Sequence, residues 1–224
     1  MSDSEKSYAL ILGVGPGLGG AFAKACDREG HILVLVSRSA GRMSRVVDDL
    51  EMDPNRSYLM EMDLADLDTC RERFNSMIER NQLPRIVVFN AAVLRKDNVE
   101  TLRTEELMET FQVNVGAALQ TIRSFVPAMA GTGHSIFLTG GGFYKKPHPE
   151  YASLSLGKSA LRSLAHTAFP WAKEMGVQLT QITVGGFVKE GTKLDPQRIA
   201  ERMIIESKKP PEEWQPEIWL PEKS

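Results

Sequence analysis

Five glycines, Gly13, Gly15, Gly17, Gly19 and Gly20, follow the apolar run Tyr8-Ala9-Leu10-Ile11-Leu12. Each missing Cβ lets backbone N–H groups approach a pyrophosphate at the positive end of a helix. Two registers fit. Gly15-x-Gly17-x-x-Gly20 matches the general dinucleotide fingerprint. Gly13-x-x-x-Gly17-x-Gly19 begins where the apolar run ends and is preferred on that ground. Glycines also serve plain turns, so position decides: the cluster lies directly behind a strand-like run. A second candidate sits at the end of the next apolar run, Val34-Leu35-Val36-Ser37-Arg38-Ser39. It carries no acid for a ribose 2′-hydroxyl. Arg38 offers a planar cation suited to a 2′-phosphate, with Ser37, Ser39 and Arg42 as further hydrogen-bond donors. NADP is therefore expected over NAD. The competing reading is an exposed arginine at a strand end.

These residues need strands, turns and helices to hold them, and the pattern supplies an alternation. Strand-like runs are Tyr8–Leu12, His31–Ser37, Ser57–Met62, Arg85–Asn90, His134–Thr139 and Gln178–Val184. Helical patterns fill Leu18–Glu29, Arg42–Glu51, Leu67–Asn81, Thr104–Ala130 and Ser153–Met175. Ile86-Val87-Val88-Phe89 is apolar on both faces, as a buried parallel strand requires. The expected class is α/β, a Rossmann-type doubly wound parallel β-sheet with helices on both faces, and residues 1–224 are read as one nucleotide-binding domain. Asp195-Pro196 reads as a cap and first helical residue of a helix to about Ser207. Glu217–Leu220 reads as a last short strand. Pro170 predicts a kink or an early helix end.

Composition bounds the function. The chain has 224 residues, 42% hydrophobic and 25% charged, with a formal net charge of -2. No global field attracts nucleic acid or an anionic membrane. Met1–Ser7 is polar and lacks an apolar signal core, and no apolar run has the length of a membrane span. Cys26 and Cys70 fall in helical patterns and read as packing residues. A reducing cytoplasm is the expected location.

In this order the residues resemble the short-chain dehydrogenase/reductase family from Tyr8 to about Leu220. Gly13-x-x-x-Gly17-x-Gly19 looks like its nucleotide loop, with Leu18 inside it and Leu12 where threonine is usual. Asp63-Leu64 stands after the third strand, where the family contacts adenine. Asn90-Ala91-Ala92 resembles its Asn-Asn-Ala-Gly motif. Asn114 in Val113-Asn114-Val115 matches the tetrad asparagine. Lys158 in Gly157-Lys158-Ser159-Ala160 matches the tetrad lysine, which also contacts the cofactor ribose. Val188, past the sixth strand, completes the expected cofactor contacts.

The departures are chemical. The family's tyrosine lies four residues before the lysine, where this chain has Leu154. Its serine lies thirteen residues earlier still, at Gly141. The Pro-Gly motif after the sixth strand reads Gly185-Gly186. Leucine cannot give a proton to a carbonyl oxygen. Three groups can: Tyr151, seven residues before Lys158 and thus two helical turns away, and Tyr144 and His148 in the loop after the fifth strand. Thr139 offers a hydroxyl two residues before the expected serine. Tyr151 is the preferred donor; its competing role is packing at a helix start.

The resemblance implies an NADP-dependent oxidoreductase acting on a small carbonyl or hydroxyl substrate. Two alternatives stand: a catalytically reduced NADP-binding regulatory protein, and a non-redox enzyme on the same fold. Lys145, Lys146, Lys189 and Lys193 hint at an anionic substrate, although solvated lysines explain them nearly as well. No metal, nucleic-acid or membrane partner is expected. The resemblance implies a homodimer or homotetramer assembled through the long helices of Thr104–Ala130 and Ser153–Met175. The stripe Met108, Phe111, Val115, Leu119, Ile122 and Val126 reads as core or subunit contact.

Overall fold

A computed structural model describes residues 7–222. The polar opening stretch, up to residue 6, lies outside them. The apolar runs become seven strands: β1 (Tyr8–Leu12), β2 (Ile32–Ser37), β3 (Ser57–Glu61), β4 (Pro84–Phe89), β5 (Ser135–Gly141), β6 (Gln178–Val184) and β7 (Glu217–Leu220). They form one sheet in the order β3-β2-β1-β4-β5-β6-β7. Every pairing is parallel. Parallel strands need crossover helices, and these cover both faces. They are α1 (Leu18–Arg28), α2 (Ala40–Asp49), α3 (Leu67–Glu79), α4 (Thr104–Phe111), α5 (Ala117–Ala128), α6 (Ala152–Glu174) and α7 (Pro196–Ser207).

The sheet divides the interior into two cores, because alternate residues of a strand face opposite ways. Ala9 and Ile11 join Phe22, Met43 and Met203 from α1, α2 and α7. Leu10 and Leu12 join Phe74, Phe125 and Leu161 from α3, α5 and α6. The strand order reverses direction between β1 and β4, so the loops leaving their C-terminal ends part and open a crevice there.

Two helical expectations are corrected. The pattern Thr104–Ala130 is not one helix: Gln112–Gly116 forms a π-helical turn between α4 and α5. The apolar stripe splits with it. Ile122 and Val126 are buried, whereas Met108 and Leu119 face solvent. Pro170 does not end α6, which runs on to Glu174. Pro170 is exposed while Ala165 and Ala172 are buried, so the core face carries the helix past the missing amide. At α7, Asp195 does cap, accepting from the amide of Gln197 at 2.9 Å, with Pro196 first in the helix.

Candidate active site

The crevice is an open cleft of about 1680 Å³ along the C-terminal ends of the strands. Its nucleotide end is set by backbone. Gly13 has φ +94°, and a Cβ there would meet the Ala91 backbone at 2.6 Å. A Cβ on Gly19 would lie 2.4 Å from the Gly13 carbonyl oxygen. These two glycines are required by close approach. Gly15 and Gly17 meet nothing within 4 Å, so their backbone is open to the cleft at the start of α1. The first amides of a helix lack intrahelical acceptors and carry the positive end of its dipole. Gly13, Gly17, Leu18 and Gly19 all line the cleft. Open space above exposed amides fits the pyrophosphate of a dinucleotide.

Ser37, Arg38, Ser39 and Arg42 line the same end. Ser39 is also spoken for: its hydroxyl caps α2 by accepting from the Arg42 amide at 3.3 Å. The sequence reading missed one group here. Register sets Glu61 of β3 beside Ser37, and its carboxylate accepts from the Ala40 amide at 2.9 Å. An acid thus stands next to the end of β2, delivered by the neighbouring strand. Asp63 and Leu64 line the cleft; the Asp63 carboxylate is held in its own turn by the Ala65 amide at 3.0 Å. Asn90, Ala91 and Ala92 form the floor. The Asn90 amide donates to the Gly13 carbonyl at 2.9 Å and so ties the β1 and β4 loops together.

The other end of the cleft is made of side chains. Lys158 is buried, and its ammonium donates to the Thr139 carbonyl at 2.7 Å. Burial pushes it down from its ordinary value to about 8. The bare Gly141 lies alongside the Lys158 stem, where a Cβ would meet Cε at 3.5 Å. Leu154, 2% exposed, forms apolar wall. Tyr151 lines the cleft at the start of α6. Its ring stacks on Phe143 at 5.8 Å between centroids, and His148 meets it edge-on at 5.4 Å. Phe187 and Val188 project from the loop after β6; Phe187 is 92% exposed.

Two candidates lie off the cleft lining, and a third, Thr139, lines it. Asn114 sits in the π-helical turn, off the cleft lining. Its side-chain oxygen accepts from the Val93 amide at 2.7 Å, and Gly157 of α6 leaves room for its amide nitrogen. It braces the loop behind the Asn90 motif against α6. Tyr144 packs under Trp219 at 5.8 Å and beneath the Arg162 guanidinium at 4.6 Å, outside the cleft lining. The Thr139 hydroxyl is buried with no protein partner. Gly185 is explained by packing: a Cβ there would meet the Trp219 ring at 2.6 Å. Cys26 and Cys70 are buried free thiols; burial pushes both up, Cys70 to about 11. Among the described residues no group of three acidic, histidine or cysteine side chains could hold a metal ion. Among the same residues no helix is long and apolar enough to cross a membrane.

A family model described as short chain dehydrogenase matches residues 7–198. The chain belongs to the short-chain dehydrogenase/reductase family. It is 26% identical over 121 residues to an NADPH-dependent pterin aldehyde reductase of Arabidopsis thaliana, covering 54% of this chain and 50% of that one. An uncharacterized oxidoreductase of Staphylococcus epidermidis is 23% identical over 216 residues, covering 91% and 92%. The chain spans about half the length of the first curated relatives it matches. Among solved structures, a metagenomic short-chain oxidoreductase in complex with NADP superposes with a TM-score of 0.85 at 19% identity, covering 96% of each chain. The alcohol dehydrogenase of Thermococcus sibiricus, complexed with 5-hydroxy-NADP, gives 0.82 at 25% identity and the same coverage. Family and fold are thereby established.

Proposed function

We propose that the protein is an NADP-dependent oxidoreductase acting on a small carbonyl or hydroxyl compound, with Tyr151 as proton donor. The observation that carries this reading is that Tyr151 and Lys158 share one cleft with the glycine loop. NADPH, when bound, supplies the hydride for carbonyl reduction. Gly17, Leu18 and Gly19 would hold its pyrophosphate, Arg38 and Arg42 its 2′-phosphate, and Lys158 its ribose. The NADPH dependence of the Arabidopsis relative and the NADP in two solved neighbours support that choice. Tyr151 gives its phenolic proton to the substrate oxygen. Tyr151 stands at the N-cap of α6, and Lys158 lies seven residues on, roughly 10 Å along the helix axis. Helical side chains lean toward the N-terminus, which brings Lys158 back toward Tyr151. Leu154 and Phe143 exclude water beside the reacting carbonyl.

Tyr151→Phe should lower kcat about 10²- to 10⁴-fold with the Kd for NADPH unchanged. Full activity of that variant, together with a gain in Leu154→Tyr, would instead establish the second reading: a catalytically reduced NADP binder. Leu154 and Gly141, which carry no proton-transfer group, favour that alternative.

Assembly as a homodimer or homotetramer belongs to the same proposal. Leu119 of α5 and Leu156 of α6 are 42% and 47% exposed, more than apolar residues on packed helices need be. Light scattering should give a multiple of 24.9 kDa at micromolar concentration; a monomer there refutes it.

A further inference from the structure

We infer that Asp97, in the loop between β4 and α4, is the residue that positions Tyr151. This rests on the reading of Tyr151 as proton donor. Tyr151 occupies the N-cap of α6, with φ −140° and ψ 51°, and its side chain caps nothing. The cap comes from 56 residues away. The Ser153 amide donates to one Asp97 carboxylate oxygen at 3.0 Å, and the Ser153 hydroxyl donates to the other. A carboxylate at a helix N-terminus is favoured both as acceptor and as charge.

The Asp97 backbone grips the peptides on either side of Tyr151. Its amide donates to the Glu150 carbonyl at 2.9 Å, and its carbonyl accepts from the Ala152 amide at 3.4 Å. Asp97 and Tyr151 thus form a parallel bridge outside the main sheet. From the helix side, the Ser155 hydroxyl donates to the Tyr151 carbonyl at 2.8 Å and accepts from the His148 amide at 3.1 Å. The main chain of the proposed donor is therefore fixed from both directions, while its ring rests on Phe143. The loop carrying Asp97 is itself anchored at Val93 by Asn114. A tyrosine at a helix start would otherwise fray with the first turn. Asp97 makes it a fixed point of the cleft.

The test reads Tyr151 directly. The chain has four tyrosines, so a ring-labelled tyrosine NMR spectrum is simple, and Tyr151→Phe assigns its signal by deletion. In Asp97→Ala the Tyr151 signal should shift or broaden, while Tyr8 and Tyr58 stay in place. Asp97→Asn keeps an acceptor for the Ser153 amide and should restore it. Ser153→Ala, which removes only the hydroxyl bond, should move it part-way and serves if Asp97→Ala folds poorly. On an aldehyde that the wild type reduces, Asp97→Ala should lose about 10- to 100-fold in kcat, since misplacement of about 1 Å costs that much, with NADPH affinity held within about twofold. In a Tyr151→Phe background the same substitution should add nothing. An unmoved Tyr151 signal, or all four signals moving alike, overturns the inference. A fully active Tyr151→Phe overturns the donor reading instead, and the NMR result then still decides whether Asp97 holds the ring.

Discussion

The two ends of the cleft are built from different material. The nucleotide end is backbone: a glycine loop, a helix start, and an asparagine that ties two loops together. The other end is side chains from separate segments, with Phe143, Tyr151, Leu154 and Lys158 drawn from the β5 loop and α6, and Trp219 from β7. Backbone geometry tolerates no added atoms where chains touch. Side-chain walls can be rewritten one residue at a time without unfolding anything. The glycines of the loop are all present here, whereas the cleft wall carries the bare Gly141 and the apolar Leu154.

That contrast breaks most easily at the glycines. Gly13→Ala forces a side chain into a positive-φ position already 2.6 Å from the Ala91 backbone. It should cost about 2–4 kcal/mol of stability in urea denaturation and abolish NADPH binding. Gly17→Ala meets nothing within 4 Å. Its stability should stay within about 1 kcal/mol of wild type while NADPH affinity falls, because the methyl occupies ligand space. Equal stability losses in the two variants would erase the distinction between a packed and an open glycine.

Lys158 sharpens the comparison from the other end. Burial lowers its pKa to about 8, below the unfolded value of about 10.4. Between those values the unfolded chain binds more protons, so stability rises with pH across that window. Below pH 8 the penalty is fully present, on the order of 3 kcal/mol before the bond to Thr139 offsets part of it. Lys158→Met should therefore abolish activity yet be more stable than wild type at pH 7, by about 1–2 kcal/mol. The gap should close toward pH 10.5. Wild-type kcat/KM should fall as pH rises through about 8, where the ammonium is lost. A variant less stable at pH 7 than at pH 10, relative to wild type, would contradict the sign.

The smallest effects belong to the end of β2, at Arg38 and Glu61. Arg38→Asp should weaken NADPH by about 1–2 kcal/mol and reverse the preference toward NADH in a fluorescence titration. Glu61→Gln should act in the opposite direction by a few tenths of a kcal/mol, since the carboxylate is exposed and screened. No response to either substitution would leave cofactor choice to some other group.

Much of this molecule was legible without coordinates. Tyr8–Leu12, Gln178–Val184 and Glu217–Leu220 were readable to the residue, the first as a short apolar run bounded by turn residues and the other two from their alternating apolar and polar positions. The Asp195-Pro196 cap was legible because its bonds span two residues. The glycine spacing encoded a strand, turn and helix within one local stretch. Other features have no local signature. The turn at Gln112–Gly116 follows from packing around Asn114 and Gly157, which helical periodicity does not record. Glu61 reaches the end of β2 only through strand register. Tyr144 offered the same phenol as Tyr151, and burial under Trp219 and Arg162 separated them. Asp97 lies far from Ser153 in sequence, and chain closure alone brings them together. Sequence determined what is periodic or short-range, because hydrophobic burial and capping act over a few residues. Tertiary structure decided which polar groups face the cleft and which hold it together, because that depends on contacts between segments the chain separates.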